Sequence, residues 1–411
     1  MKYFIHTFGC RVNQADSFDM EEGLRERGAI AAPADEADLV VVNTCTVTGA
    51  ADQGARNLIR RVARRNASAR IVVTGCYATR EPGALERLPG VVRLVSNSEK
   101  DTFCRSLRGP DGDGACGPPL EPGAMGRTAC PVRVQTGCAE HCAFCVIPST
   151  RGPSRSRPIP GVLGDVNRLV RAGYRELWLV GVHLGSYGRD LLPPASLADL
   201  LRALDGTRGD VTFRIGSLEP MDCSPEVVAL VAQSGRFAPH FHLPLQHGSD
   251  RVLSAMRRPY SALVYRDLVG DIRARLPQAS IGTDVIVGFP GESEADAEAS
   301  DALLARLPLS YLHVFPYSDR PGTVAAAMTP KVAPPQIKTR ASRVRDIGMR
   351  LSARFASSQV GTIRQGLTLD DGTTVLTDNF LKVSIPPGLP RNTRVRVRIE
   401  SNWPALAGRV V

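Results

Sequence analysis

Short apolar runs that each lead into a helical stretch constrain this chain more than any other feature. Tyr3–Thr7, Leu39–Val42 and Ile71–Val73 are β-prone, and the stretches Gln14–Arg27, Ala50–Asn66 and Glu81–Leu88 that follow them read as helices. Brief, uninterrupted apolar runs mark strands buried on both faces, so this alternation predicts a parallel sheet covered by helices. Between about 130 and 320 the pattern returns. Strands are expected at Val132–Gln135, Leu177–Gly181, Thr212–Ile215, His240–Leu243, Ile281–Val287 and Tyr311–Phe315. Helices such as Leu197–Leu204, Pro225–Gln233, Leu263–Arg275 and Glu292–Leu307 lie between them. Six successive β–α units predict an open or closed α/β barrel, with its active face at the C-terminal ends of the strands.

The pattern changes after a charged helix over Gln336–Ala356. Thr362–Leu369, Thr374–Thr377, Leu381–Ile385 and Thr393–Ile399 are short strands with Asp371-Gly372 and Pro387-Gly388 among their turns. They predict a small antiparallel β-barrel. Arg108–Gly126 is rich in Gly and Pro and reads as a linker. The fold class is therefore α/β, with a small β-domain at the C-terminal end. A length of 411 residues agrees with two or three domains at roughly 150 residues each.

The apolar runs are far too short to span a bilayer. Met1–His6 lacks the apolar stretch of a signal peptide. No membrane association is expected, and the expected compartment is the cytoplasm. There, ten cysteines are better read as metal ligands, catalytic groups or buried small residues than as disulfides. The net charge of +10 favours a polyanionic partner. Only five of the 51 basic residues are lysines, so an arginine-rich genome accounts for part of that charge.

Cys138-Ala-Glu-His-Cys142-Ala-Phe-Cys145 is the sharpest motif. It falls in the loop after the first strand of the barrel-like region. Structural zinc and ordinary ferredoxin clusters take four protein ligands. Three thiolates on a four-iron cluster leave one iron for an exogenous ligand. A zinc site completed by His141 is the competing reading, awkward because His141 directly precedes Cys142. Cys10, Cys45 and Cys76 form a second set. Each sits just past a strand of the N-terminal alternation, and parallel strands present those ends along one edge. Their placement predicts a second three-thiolate cluster, although three buried cysteines that never meet would give the same sequence.

The C-x3-C-x2-C run resembles the signature of radical S-adenosylmethionine (SAM) enzymes. Further stretches extend the likeness: Thr7-Phe-Gly-Cys10-Arg-Val-Asn13-Gln, Val41-Val-Asn-Thr44-Cys45-Thr46-Val, Val73-Thr-Gly-Cys76-Tyr77, Gly181-Val-His183-Leu-Gly185-Ser-Tyr187-Gly, His242-Leu-Pro-Leu-Gln246-His-Gly-Ser249-Asp, Asp284-Val-Ile-Val-Gly288-Phe-Pro-Gly-Glu292 and Tyr317-Ser-Asp-Arg320-Pro-Gly-Thr323. Together they resemble the radical SAM methylthiotransferases over nearly the whole chain. The resemblance implies an N-terminal methylthiotransferase domain over 1–107, a linker over 108–126, a radical SAM partial (β/α)6 TIM-like barrel over 127–345 and a TRAM-like RNA-binding β-barrel over 346–411. It implies two 4Fe-4S clusters, SAM, and an electron donor of flavodoxin or ferredoxin type. A monomer is expected.

The motifs Gly9-Cys10-Arg-Val-Asn-Gln and His313-Val-Phe-Pro-Tyr-Ser look most like the branch that methylthiolates carbon 2 of threonylcarbamoyladenosine beside the anticodon of tRNA. Sibling branches act on isopentenyladenosine in tRNA or on an aspartate of a ribosomal protein. A metal-stabilised RNA-binding protein without activity is the alternative of another class. Two departures from the pattern are His247, where a serine is usual, and Thr136, where an acidic residue is common.

Residues expected to contact the cofactor are Gly181, Ser217, Glu219 and Gly288, at strand ends, with Phe144 and Gln246 added by resemblance. A Glu219 carboxylate could accept from ribose hydroxyls or serve as an ordinary loop acid. Residues expected to contact RNA are Arg151, Arg155 and Arg157, after the cysteine loop, and Arg394, Arg396 and Arg398, which alternate on one strand face. Arg56, Arg60 and Arg64 make a basic helix face of the same kind. Residues from 361 onward carry seven Lys/Arg against four Asp/Glu, a net of +3, which favours RNA over a basic protein. Phe380 and Trp403 are the aromatic candidates for base stacking there.

Overall fold

The computed structural model describes residues 1–107, 120–123, 126–402 and 405–411. Cys116, Trp403 and most of the expected linker lie outside the described residues. The chain divides into two compact units. The first comprises Met1–Leu120, Thr136–Arg155 and Ser318–Ala326, and the second Glu121–Gln135, Ser156–Tyr317 and Ala327–Val411. This grouping differs from a linear division, because the loop with Cys138, Cys142 and Cys145 belongs with the N-terminal sheet. Among the described residues, no helix is long and apolar enough to cross a membrane.

The first unit is built on five parallel strands: β1 (Lys2–Thr7), β2 (Ile30–Ala31), β3 (Leu39–Thr44), β4 (Arg70–Gly75) and β5 (Val91–Val95), in the order β2-β1-β3-β4-β5. Side chains alternate across the sheet. On one face Val40, Val42, Ile71 and Val73 pack with Ala55, Ile59 and Val62 of α2 (Gly49–Arg65). On the other, Val41, Val72 and Val95 pack with Met20 of α1 (Arg11–Glu26) and with Phe103, on the helix Lys100–Leu107. Cys104 lies in that second core. The Thr48 hydroxyl caps α2 by accepting from the Ala51 amide.

The second unit contains the barrel-like region. Its parallel strands are β6 (Cys130–Arg133), β7 (Glu176–Val180), β8 (Thr212–Ile215), β9 (His240–His242), β10 (Ser280–Val287) and β11 (Tyr311–Pro316). They form two three-stranded sheets, β8-β7-β6 and β9-β10-β11. The isolated parallel bridges Phe213↔Phe237 and Ser217↔His242 carry pairing from β8 to the β9 side. All six expected strands are present, as an open barrel. Helices cover its outer face, where Thr283 and Val285 of β10 are buried. Leu312 of β11 lies against Gly348 of the helix Pro334–Gln359.

Five more strands form a closed barrel: β12 (Ile363–Leu369), β13 (Thr374–Thr377), β14 (Lys382–Ser384), β15 (Arg394–Ser401) and β16 (Ala407–Val410), in the order β12-β13-β14-β16-β15. Val375, Val383, Val395, Val397 and Ile399 fill its core. This barrel closes the N-terminal end of the open one. The guanidinium of Arg214, fully buried on β8, donates to the carbonyls of Asp378 (2.8 Å) and Thr377 (3.2 Å) and pairs with Glu176 at 3.1 Å. It also lies over the rings of Trp178 and Phe380, which touch each other edge to face.

Two expectations about RNA-facing residues are corrected here. Phe380 is not a free stacking platform, because its ring packs against Trp178, His240 and Tyr311. Arg394 is engaged within the unit, donating to the Thr212 hydroxyl and the Arg175 carbonyl. Arg396 remains exposed and Arg398 half-exposed on the same strand.

Candidate active site

Cys10, Cys45 and Cys76 come together at the C-terminal edge of the first unit's sheet. Cys10 caps the start of α1, Cys45 follows β3, and Cys76 begins the short helix Cys76–Arg80 directly after β4. Two glycines make the approach possible. Gly9 has φ +86, and a Cβ there would lie 2.5 Å from the Cβ of Cys45. Gly75 has φ +98, and its Cβ would overlap the Thr44 backbone. Only glycine fits both the dihedral and the space. The three sulfurs sense one another. Burial pushes the Cys45 thiol up to about 12, and Cys10 and Cys76 add to the rise. A buried thiol raised in this way, as at Cys45, gives up its proton when a metal takes the charge, as a cluster ligand does.

A buried group of ions backs this triad. Asp16 accepts from Lys100 Nζ at 2.8 Å and from Arg151 Nη2 at 3.1 Å, and all three side chains are almost fully buried. Asn43 lies 3.3 Å from Lys100, and Asn13 accepts from Arg151. Burial works against the Arg151 charge, but Asp16, Cys76 and Cys10 together raise its pKa. Arg151 is thus a support beneath the sulfurs and not a surface contact for phosphate, which corrects the sequence expectation. Asn97 donates to Cys76 Sγ at 3.5 Å and to the Thr150 carbonyl at 2.9 Å. Beside Cys45, Arg320 pairs with Asp52 at 2.7 Å, and Arg80 donates to the Thr46 hydroxyl. Four cations (Lys100, Arg151, Arg80, Arg320) against three carboxylates (Asp16, Asp52 and Glu81, the last paired with Arg80) leave one net positive charge beside the three thiols.

The loop with Cys138, Cys142 and Cys145 is held by its own backbone. The Cys138 amide donates to the Gly152 carbonyl (3.0 Å) and the Cys145 amide to the Cys142 carbonyl (3.1 Å). Backbone amides point at two of the sulfurs: Glu140 N to Cys138 Sγ and Ile147 N to Cys145 Sγ, both at 3.4 Å. Donors aimed at sulfur stabilise thiolate and tune iron–sulfur clusters. The residues present therefore fit a cluster held by three cysteines. Phe144 is half-buried in this loop. The Ala325 amide donates to the Ala143 carbonyl at 2.8 Å and ties the segment 318–326 to it.

In the second unit, the residues expected to meet the cofactor lie at the C-terminal ends of successive strands. Gly181 follows β7 beside Gln135, whose side-chain oxygen accepts from the amides of Val182 and His183 at 2.9 Å each. Ser217 is exposed after β8. Glu219 forms an ion pair with the buried Arg258, although burial raises its pKa. Gln246 holds a left-handed backbone (φ 69) that stitches its amide to Asp284 O and its carbonyl to Ile286 N. The Gly288 amide donates to Glu292 at 2.6 Å, and a Cβ on Gly288 would collide with Ile337. His247 is buried and its pKa falls to about 4, chiefly through that burial. Arg155 is exposed, whereas Arg157 pairs with Asp165 at 2.6 Å.

Sequence reasoning missed the Asp16–Lys100–Arg151 group and a His183–Asp222 pair at 2.7 Å. Burial alone would raise the Asp222 pKa, but His183 and Arg189 bring it below the ordinary carboxylate range. Asn13, Asn43 and His183 stand inside the quoted motifs, which was the available signal. Cys130 and Cys223 are buried, and burial pushes the Cys223 thiol up to about 12.

Two family models match the chain: the uncharacterized protein family UPF0004 over residues 2–97 and the radical SAM superfamily over residues 132–304. A threonylcarbamoyladenosine tRNA methylthiotransferase MtaB of Aquifex aeolicus is 34% identical, over 93% of this chain and 96% of its own. A tRNA-2-methylthio-N(6)-dimethylallyladenosine synthase of Anaeromyxobacter sp. is 39% identical, over 79% of this chain and 73% of its own. Among solved structures, the radical SAM methyltransferase TsrM of Kitasatospora setae, with cobalamin and a 4Fe-4S cluster bound, superposes with a TM-score of 0.58 at 16% identity. It covers 79% of this chain and 77% of its own.

Proposed function

The chain belongs to the radical SAM methylthiotransferases, and from that premise we propose that it places a methylthio group on carbon 2 of threonylcarbamoyladenosine beside the anticodon of tRNA. The observation that carries this reading is the match to the Aquifex aeolicus enzyme, which runs through essentially the full length of both chains. The Anaeromyxobacter relative is more similar but over a shorter span, and it favours isopentenyladenosine as the second reading. The net charge of +10 supports an RNA substrate in either case.

Cys138, Cys142 and Cys145 would hold the cluster that binds SAM, with Phe144, Gly181, Ser217, Glu219, Gln246 and Gly288 toward the cofactor. Cys10, Cys45 and Cys76 would hold a second 4Fe-4S cluster that carries sulfur. When bound, these groups supply a carbon radical able to take hydrogen from an aromatic C–H bond, and the sulfur that replaces it. The protein's part is to bind, orient and exclude water. Buried Lys100 and Arg151 hold positive charge where anionic sulfur would sit. Amides over Cys138 and Cys145 fix the loop. Exposed Arg155, Arg396 and half-exposed Arg398, with Arg157, would meet tRNA phosphates. An anticodon loop offers a base that can be splayed out, unlike one within a duplex.

Nucleoside mass spectrometry of tRNA from cells lacking the protein tests the substrate. Loss of methylthiolated threonylcarbamoyladenosine with methylthio-isopentenyladenosine unchanged is expected. The opposite pattern would establish the second reading, and no change in either would remove both.

A further inference from the structure

His242, Asp284 and His313 converge on the inner face of the open barrel, in a cluster that the reading above does not use. They stand on neighbouring strands β9, β10 and β11, and β10–β11 register places Asp284 opposite His313. His242 Nε2 and His313 Nδ1 both lie 3.0 Å from the same oxygen, Asp284 Oδ1. Tyr311 Oη lies 3.2 Å from His242 Nδ1 and 2.8 Å from His240 Nε2. One assignment satisfies every contact: His242 Nε2–H and His313 Nδ1–H donate to Asp284, the Tyr311 hydroxyl donates to His242 Nδ1, and His240 Nε2–H donates to Tyr311. Asp284 stays ionised. Burial would raise its pKa, but the bonds from His242 and His313 bring it to about 2.

The cluster is not sealed. The His313 side chain is 56% exposed, and its Nε2 has no partner among the described residues. Phe315, two residues nearer the C-terminal end of β11, is 39% exposed on the same strand face. Its ring centroid lies 6.5 Å from that of His313. An aromatic ring and the open Nε2 edge of an imidazole therefore stand one above the other on the wall of the barrel, the ring nearer the mouth.

We propose that this pair reads the N6 substituent of the substrate adenine: Phe315 stacks on the base, and His313, carrying a proton on both ring nitrogens when the substrate is bound, keeps Nδ1–H on Asp284 and donates Nε2–H to the carboxylate at the far end of the threonylcarbamoyl group. The dimensions agree. Five bonds of about 1.3–1.5 Å separate N6 from a carboxylate oxygen, so the extended group spans about 6 Å, close to the ring spacing. The chemistry agrees as well. An isopentenyl group at the same depth would cover the open His313 Nε2 with hydrocarbon and offer it no partner, and a polar group desolvated without a hydrogen bond is penalised. This inference rests on the adenine reading above and adds which residues choose between the two tRNA substrates.

The test uses the full-length, cluster-loaded protein and fluorescent anticodon stem-loops carrying threonylcarbamoyladenosine, its methyl ester, isopentenyladenosine or plain adenosine. The proposal predicts that the wild type prefers the free acid to the ester by about tenfold. It predicts that His313→Leu erases that preference with plain-adenosine binding unchanged, while His313→Gln keeps part of it. Each tenfold is about 1.4 kcal/mol. If His313→Leu keeps the preference, the inference fails while the substrate reading stands. If the wild type turns over only the isopentenyl loop, both fail. The three ligand atoms also lie within 4.8 Å of one another, so Co2+ is titrated in parallel. Stoichiometric Co2+ bound by the wild type and lost in His313→Leu would make the cluster a cation site and overturn the proposal.

Discussion

Asp16 is the residue on which the N-terminal site turns. Its buried carboxylate is the shared partner of the buried Lys100 and Arg151, so removing it leaves two cations facing each other. Breaking a buried pair from one side costs about 3–5 kcal/mol. Asp16→Asn should lower the urea-unfolding free energy of the metal-free protein by that order. A change below about 1 kcal/mol would mean the group is hydrated. At Asp284 the sign is set by its depressed pKa. Below the unfolded value of about 3.9 the unfolded chain takes up a proton sooner than the folded one, so the stabilisation is complete above about pH 4 and lost toward pH 2. Wild type should exceed Asp284→Asn in stability at pH 7, and the gap should close on acidification, read by denaturant titration at several pH values. The places of Cys10, Cys45 and Cys76 were legible because strand ends share an edge, and those of Cys138, Cys142 and Cys145 because their spacing keeps them in one loop. The ions beneath them were not, because Asp16 finds its partners 84 and 135 residues away and nothing local marks an arginine as buried.

At the scale of elements, the strands were legible where apolar residues run on, as at Val40–Val42 and Leu177–Val180. The edge strand β5 escaped because Arg93 interrupts it. The last strand, β16, escaped because Ala-Gly-Arg-Val carries little β signal. The alternation of Arg394, Arg396 and Arg398 was read correctly as alternation, but not which of the three the barrel would use for itself. The contact of the closed barrel with β7 and β8 depends on Arg214, whose donors satisfy two carbonyls and a carboxylate at once. Arg214→Met should leave Glu176 buried without its cation and lower the cooperativity of thermal unfolding. Scanning calorimetry should then show the C-terminal strands melting ahead of the rest. A single unchanged transition would show that the apolar packing suffices. At the other end of the chain, Gly75→Val should collide with the Thr44 backbone and spoil the Cys76 corner, while leaving the Cys138 loop intact.

For the whole molecule, the excess of positive charge should appear in the salt dependence of tRNA binding. Each phosphate contact contributes roughly 0.7–0.9 to the slope of log affinity against log salt. The double variant Arg396→Ala, Arg398→Ala should therefore reduce that slope by about 1.5, measured by equilibrium binding at several ionic strengths. An unchanged slope would place the RNA elsewhere. The molecule as a whole is organised around two sets of three cysteines, and counting iron examines that directly. After anaerobic reconstitution the protein should bind about eight irons per chain, two four-iron clusters, and the Cys10→Ala, Cys45→Ala, Cys76→Ala variant about four, with SAM still able to perturb the remaining cluster's electron paramagnetic resonance signal. About four irons in both proteins would contradict the account, because the N-terminal cysteines would then hold no cluster.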